Sequence, residues 1–253
     1  MVKEITISDP ITYEGQPDGG STPMIDPYDG CQFHCPYCFQ LSDEKWNKDI
    51  YVNLNIADLL SARLESWPKS KTIYLGSKCD PYMQLEETYQ LTRNCLKVLR
   101  ELNINTMITT KSDNGLIYRD LEILKSFSGN LTVLMGLANM NQISKGIKNS
   151  NIETANDLYD NHIPVWVFIT PVLPYIMEVE DMISSLHPGI PVFLDKLRIS
   201  KGSIQANKMK TFILGQYPYL SKKYDKVIDE GEESYFNNLV DRYSNNDRIK
   251  ILF

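Results

Sequence analysis

The sequence predicts an α/β protein built on a parallel sheet, and three observations predict it. Short β-rich runs alternate with amphipathic stretches along most of the chain, the signature of βα units. Several of the runs are near-continuously apolar, as strands are when both of their faces are covered. The units number five or six, too few for a closed eight-stranded barrel. A partial barrel or an open doubly wound sheet fits that count.

Taken in order, Met24–Asp26 opens the first strand, and Ile56–Trp67 (IADLLSARLESW) reads as a helix. Lys71–Ser77 (KTIYLGS) is the next strand. In Glu86–Leu102 (EETYQLTRNCLKVLREL) the residues Leu91, Cys95, Leu96, Val98, Leu99 and Leu102 recur at helical spacing. Asn105–Thr110 is a strand and Leu116–Phe127 a helix; Leu131–Leu137 is a strand and Asn151–Asn161 a helix. Pro164–Thr170 is a strand, Glu178–Leu186 a helix, and Pro191–Leu197 the last strand. Residues 199–253, rich in Lys, Tyr, Asn and Asp, read as one or two helices forming a lid, an oligomer contact or a packed tail. The organisation expected is therefore a core over residues 1–198 and an extension over 199–253.

Composition narrows the function. Hydrophobic residues at 42% and charged residues at 23% are ordinary for a globular chain and argue against disorder. A net charge of −6 and a pI of 5.2 leave no general basic excess for tracking phosphates, which disfavours nucleic acid as a partner. The N-terminus MVKEITISDP lacks a charged-then-apolar leader pattern. The most apolar stretch, Ile163–Ile176, is interrupted by Pro164, Pro171 and Pro174 and is too short to span a bilayer. No membrane partner and a cytoplasmic location are expected.

Chemistry concentrates in DPYDGCQFHCPYCFQ, residues 26–40. Cys31, Cys35 and Cys38 follow a C-x3-C-x2-C spacing inside a loop (30–40) that Gly30 and Pro36 suit for tight turning. In a reducing compartment, three crowded thiols read as metal binding or redox chemistry. Thiolates favour zinc or an iron–sulfur centre. A structural zinc needs a fourth ligand; His34 is the local candidate, yet it adjoins Cys35 and converges poorly on the same ion. A cubane cluster held by three cysteines keeps one iron open, and an open position signals catalysis. Unligated cysteines are the remaining reading.

With Tyr37 before the last cysteine, and with the loop following the first strand, these residues resemble the radical S-adenosylmethionine (radical SAM) superfamily over residues 24–197. DPYDGCQFHCPYCFQ, GSKCDPY (76–82), LTRNCLKVL (91–99), TTKSD (109–113) and TPVLP (170–174) are similar to the spore photoproduct lyase-like branch. Phe39 and Gln40 depart from that branch's signature. The resemblance implies an α/β partial (β/α)6 TIM-like barrel with a C-terminal helical extension. It implies one 4Fe-4S cluster on Cys31, Cys35 and Cys38, whose open iron chelates S-adenosylmethionine. One electron then cleaves the C5′–S bond, and a 5′-deoxyadenosyl radical abstracts hydrogen from a substrate. It further implies Tyr37 beside the adenine, and Gly76 and Ser77 at a strand end that meets the methionine amino group or the substrate. Lys111 would face the methionyl carboxylate, and Asn139 the ribose or carboxylate.

Two cysteines remain. Cys95 falls on the apolar face of a helix and reads as core. Cys79 sits in the strand-end loop GSKCDPY, where the lyase branch carries a thiol that returns a hydrogen atom; register on Asp80 places that family position at Ser77, so Cys79 is a hydrogen-donor candidate displaced by two residues. The substrate expected is a peptide or small metabolite, with flavodoxin or ferredoxin as electron donor. The alternative is nucleic-acid repair or modification of the photoproduct lyase type, for which Tyr217–Lys226 (YPYLSKKYDK) offers aromatic and basic residues. The other reading of that segment is a helix packed on the barrel. A zinc-bound interaction module is the non-enzymatic possibility.

Overall fold

Six strands stand where the alternation of apolar runs places them. The computed structural model describes residues 1–15, 21–46, 48–127, 129–146 and 149–253. Among these the strands are β1 (Val2–Ile5), β2 (Thr12–Gly15), β3 (Ser21–Ile25), β4 (Tyr28–Asp29), β5 (Ile50–Asn53), β6 (Ile73–Leu75), β7 (Thr106–Thr110), β8 (Leu131–Gly136), β9 (Val165–Ile169), β10 (Val192–Leu194) and β11 (Ile249–Ile251). The α-helices are α1 (Ile56–Leu64), α2 (Leu85–Tyr89), α3 (Leu91–Glu101), α4 (Leu116–Arg119), α5 (Leu121–Lys125), α6 (Met140–Lys145), α7 (Ser150–Asp160), α8 (Val179–Ser185), α9 (Ile204–Gln216), α10 (Ser221–Asp225) and α11 (Ser234–Tyr243).

Strand order is β11-β10-β9-β8-β7-β6-β3-β2 in a mostly parallel eight-stranded sheet, with β1-β5-β4 in a separate sheet of three. The larger sheet ends on β2 and β11, so it does not close into a barrel. The antiparallel edge β2, the small sheet and β11 are additions that the alternation of βα units does not reveal.

The chain divides into two compact units. The first comprises Met1–Gln32, Asn47–Met135 and Thr154–Trp166. Its parallel register lines up Ile25, Leu75, Ile108 and Val133, every one fully buried. Each such side chain contributes about 1.5–3 kcal/mol of hydrophobic stabilisation. α1 buries Ile56, Leu60 and Leu64, and α3 buries Leu91, Cys95, Leu96 and Leu99. These stripes recur every three or four residues and pack the two helices together.

Two expected helices are each broken. Glu86–Leu102 splits at Gln90, which adopts the left-handed conformation at φ +52°. The fully buried Glu86 carboxylate accepts the N–H groups of Thr92 (2.9 Å) and Arg93 (3.2 Å), satisfying the start of α3 from the side. Leu116–Phe127 splits at Asp120, whose buried carboxylate meets Arg93 at 2.6 Å and Arg119 at 3.1 Å. Arg119 also reaches Glu86 at 2.7 Å, so one guanidinium joins both carboxylates.

The second unit comprises Phe33–Trp46, Gly136–Glu153 and Val167–Phe253. Val192 pairs in register with Val167 on one side and Ile249 on the other. Phe168 and Phe193 stack on one sheet face, ring centroids 4.6 Å apart and nearly parallel. α9 buries Ala206, Met209 and Ile213, and Phe236 of α11 meets Phe253 edge-on. Residues 199–253 lie wholly in this unit and carry the three helices α9, α10 and α11, more than the one or two expected, together with strand β11. No helix among the described residues is long and apolar enough to cross a membrane.

Candidate functional site

In the first unit the site begins where β3 ends. After Ile25 the chain turns through Asp26 to Gly30, at φ +99°. A Cβ on Gly30 would lie 2.8 Å from the Asp49 carbonyl oxygen, so only glycine lets the chain pass into the cysteine loop. Cys31 follows, half-buried. The next residue, Gln32, is fastened at both ends: its backbone N–H donates to Met83 Sδ (3.1 Å), and its side-chain oxygen accepts from Leu85 N–H (3.1 Å).

The loop after β6 is folded as tightly. Gly76, at φ +78°, donates its N–H to the Ile25 carbonyl at 2.9 Å. A Cβ there would meet Pro81 Cδ at 2.4 Å and Cγ at 2.6 Å. Ser77 is half-buried behind it. Lys78 N–H donates to Asp26 Oδ1 at 3.0 Å, while Asp26 Oδ2 is shut off from solvent with no hydrogen-bond partner. Burial pushes the Asp26 carboxyl up to about 6, against the pull of the Lys78 and Cys79 amides.

Cys79 is buried, and its thiol donates to the Tyr28 carbonyl at 2.9 Å. Desolvation, followed by the neighbouring Asp26 charge, raises the thiol well above its ordinary value, so it stays S–H. Asp80, also buried, accepts from Tyr82 N–H (2.9 Å), Thr110 Oγ1–H (2.8 Å) and Lys111 N–H (2.6 Å). Burial sets its carboxyl at about 6. Through Asp80 the loops after β6 and β7 are tied together, and Lys111 sits half-buried at the end of β7.

In the second unit Cys35 and Cys38, both half-buried, are joined by a turn in which Cys38 N–H donates to the Cys35 carbonyl at 3.1 Å. His34 is exposed, its backbone left-handed at φ +49°. The Tyr37 hydroxyl donates to the Ala138 carbonyl, anchoring the loop beyond β8. Asn139 caps α6, its side-chain oxygen accepting from the N–H groups of Asn141 (3.0 Å) and Gln142 (3.2 Å). Thr170–Pro171, after β9, is a cis peptide.

Donor chemistry fits an iron–sulfur centre. Three soft, half-buried thiols fall within eight residues, and no cysteine is in a disulfide. His34, the local alternative ligand, is exposed, whereas the three thiols are half-buried. Among the described residues no three His, Cys, Asp or Glu side chains are already gathered round one point. A cavity of about 410 Å³ in the second unit, lined by residues including Ile143, Met177, Asp181 and Tyr217, contains none of the predicted site residues.

Sequence reasoning misses Asp26, Glu86 and Asp120. Each is one polar residue among many, distinguished only by what the fold buries or brings near it. Within YPYLSKKYDK, Tyr224 is buried and donates to the Pro174 carbonyl (3.1 Å), Tyr217 donates to the Ile143 carbonyl (2.7 Å), and Tyr219 is the exposed ring. Lys223 lies over the Tyr175 ring at 4.0 Å. Leu220 and Tyr224 are thus buried, while Pro218, Tyr219, Lys222, Lys223, Asp225 and Lys226 stay exposed.

No protein-family model matches the chain. Its sequence is 32% identical over 229 residues to the uncharacterized protein MJ0683 of Methanocaldococcus jannaschii, covering 83% of this chain and 85% of that protein. Its fold is similar to spore photoproduct lyase complexed with dinucleoside spore photoproduct: TM-score 0.58, 13% identity, 86% of this chain covered. A variant of that lyase with bound AdoMet and the dinucleoside gives TM-score 0.56 at 14% identity, over 82% of this chain and 64% of that one. SuiB of Streptococcus suis gives 0.50 at 15% identity over 90% of this chain. The chain spans 66% of the first lyase structure's length and 48% of SuiB's. Lyase and SuiB are both radical SAM enzymes, and the likeness is one of fold.

Proposed function

The chain belongs to the family of the Methanocaldococcus jannaschii protein MJ0683, and we propose that it is a radical SAM enzyme acting on a peptide or small metabolite. One observation carries the proposal: a C-x3-C-x2-C loop follows the first parallel strand of an open α/β sheet whose fold is similar to that of spore photoproduct lyase. Cys31, Cys35 and Cys38 would hold a 4Fe-4S cluster, which when bound supplies the electron that splits S-adenosylmethionine into methionine and a 5′-deoxyadenosyl radical.

The remaining roles belong to this chain's own residues. Tyr37, held by its hydroxyl to Ala138, presents its ring and backbone to the adenine. Gly76 and Ser77 form the strand end that receives the methionine amino group. Lys111, its backbone fixed by Asp80, offers a cation to the methionyl carboxylate. Asn139 faces the ribose or carboxylate from the head of α6. Burial keeps Cys79 in the S–H form, the form that returns a hydrogen atom; Cys79→Ala is expected to change the product or slow its release from the radical state. An electron donor such as flavodoxin or ferredoxin would deliver the electron.

Anaerobic reconstitution with iron and sulfide tests the proposal. A brown chromophore with about four irons per chain, and 5′-deoxyadenosine on reduction with S-adenosylmethionine, are the expected outcomes. Both should vanish in the triple variant Cys31→Ala, Cys35→Ala, Cys38→Ala. Stoichiometric zinc with no chromophore would sink the proposal and favour an interaction module.

A second reading, nucleic-acid repair, draws on the fold likeness to a lyase bound to a dinucleoside photoproduct. Salt-sensitive binding of ultraviolet-irradiated DNA would favour it.

A further inference from the structure

α9, whose first turn is capped by Ser203 Oγ accepting from Ala206 N–H (3.1 Å), presents Gln205 toward the cysteine loop of its own unit. The Gln205 amide nitrogen lies 3.3 Å from the Cys38 carbonyl, 3.4 Å from the Phe39 carbonyl and 3.0 Å from Ser42 Oγ. These oxygens belong to the short 3₁₀ turn Phe39–Ser42 and to the residue that leads into it. Within the loop, the Cys38 carbonyl also receives Leu41 N–H at 3.1 Å. Peptide carbonyls attract N–H donors and repel carboxylates, so an amide fits this position and an isosteric acid does not.

We propose that Gln205 is a positioning residue: it clamps the backbone of Cys38, and through it the third thiol of the loop, to the C-terminal segment. The metal-holding half of this inference rests on the iron–sulfur reading; the clamping half does not. Without the clamp, the backbone that carries the third thiolate is free to open, and a bound metal loses one of its three protein ligands more often. α9 itself stays in place when Gln205 changes, because Ala206, Met209 and Ile213 carry its packing and Ser203 its cap.

The test compares Gln205→Ala and Gln205→Glu with the parent in the full-length chain. Gln205→Glu keeps the shape and removes the donor. Two measurements are made, amide hydrogen exchange over residues 38–43 in the metal-free protein and the rate of iron loss to a chelator after reconstitution. Loss of one or two hydrogen bonds predicts exchange and iron loss about fivefold to tenfold faster in both variants, with a melting temperature lower by only about 2–5 °C. Parent-like exchange in Gln205→Glu overturns the clamp. Faster exchange with unchanged iron loss overturns the positioning of the ligand. Should the parent chain take up no iron, the iron–sulfur reading has failed, and the exchange comparison alone upholds or overturns the clamp.

Discussion

At the scale of single residues, two positions carry predictions. Gly76 is the only residue type that its turn admits, since a methyl group would collide with the Pro81 ring at 2.4 Å and the backbone sits at φ +78°. Gly76→Ala should lower stability by about 2–3 kcal/mol, read from the urea midpoint. Asp26 has an oxygen sealed from water with nothing to bond, and its carboxyl is pushed to about 6 from an ordinary 3.8. The folded state therefore holds a proton that the unfolded chain releases. Stability contributed by this group is lost as pH climbs from about 4 to about 6 and stays lost above. Asp26→Asn should be more stable than the parent at pH 8 and equal to it at pH 4; a gap of the same size at both would refute this origin. Neither feature is legible in sequence. Gly76 shows that it is glycine but not what lies opposite, and Asp26 is one of 32 acidic residues, singled out only by burial. The cysteine loop is legible because its meaning resides in local spacing.

Elements are governed by side chains that bridge them. Arg119, in α4, joins the buried carboxylates of Glu86 in α2 and Asp120 at the head of α5, while Tyr28 donates to Glu86 at 2.6 Å. Arg119→Met would leave Glu86 without its ion-pair partner. We expect a loss of about 3 kcal/mol, measured by chemical unfolding. Changing Arg119 and Glu86 together to Met and Gln should recover part of that loss. The same network explains why two continuous helical patterns become four helices. Periodicity marks which face of Glu86–Leu102 is apolar, and α3 shows that face buried. The break comes from a carboxylate that caps from the side, and no local turn residue announces it: Gln90 is an ordinary helix former placed in a left-handed bend.

On the scale of the whole molecule, six strands follow from apolar runs that any reading of the chain detects, whereas β11 does not. Its Ile249 and Ile251 flank a lysine in a stretch too short to show a period, and it is a strand because β10 offers an unpaired edge. Arg248, just before it, donates to the carbonyls of Ile190 (2.8 Å) and His187 (3.0 Å). Removing residues 248–253 should expose the β10 edge, lower the melting temperature and promote aggregation visible by light scattering. A parent-like melting curve for the truncated chain would count against this. The stitch made by Asp80 has a mechanical consequence of its own. Because one carboxylate grips Tyr82, Thr110 and Lys111 at once, the two turns it joins travel as a single plate. Whatever gives way when a guest molecule arrives must therefore be sought among neighbouring turns, and random mutagenesis for altered guests should spare this plate and accumulate its hits elsewhere.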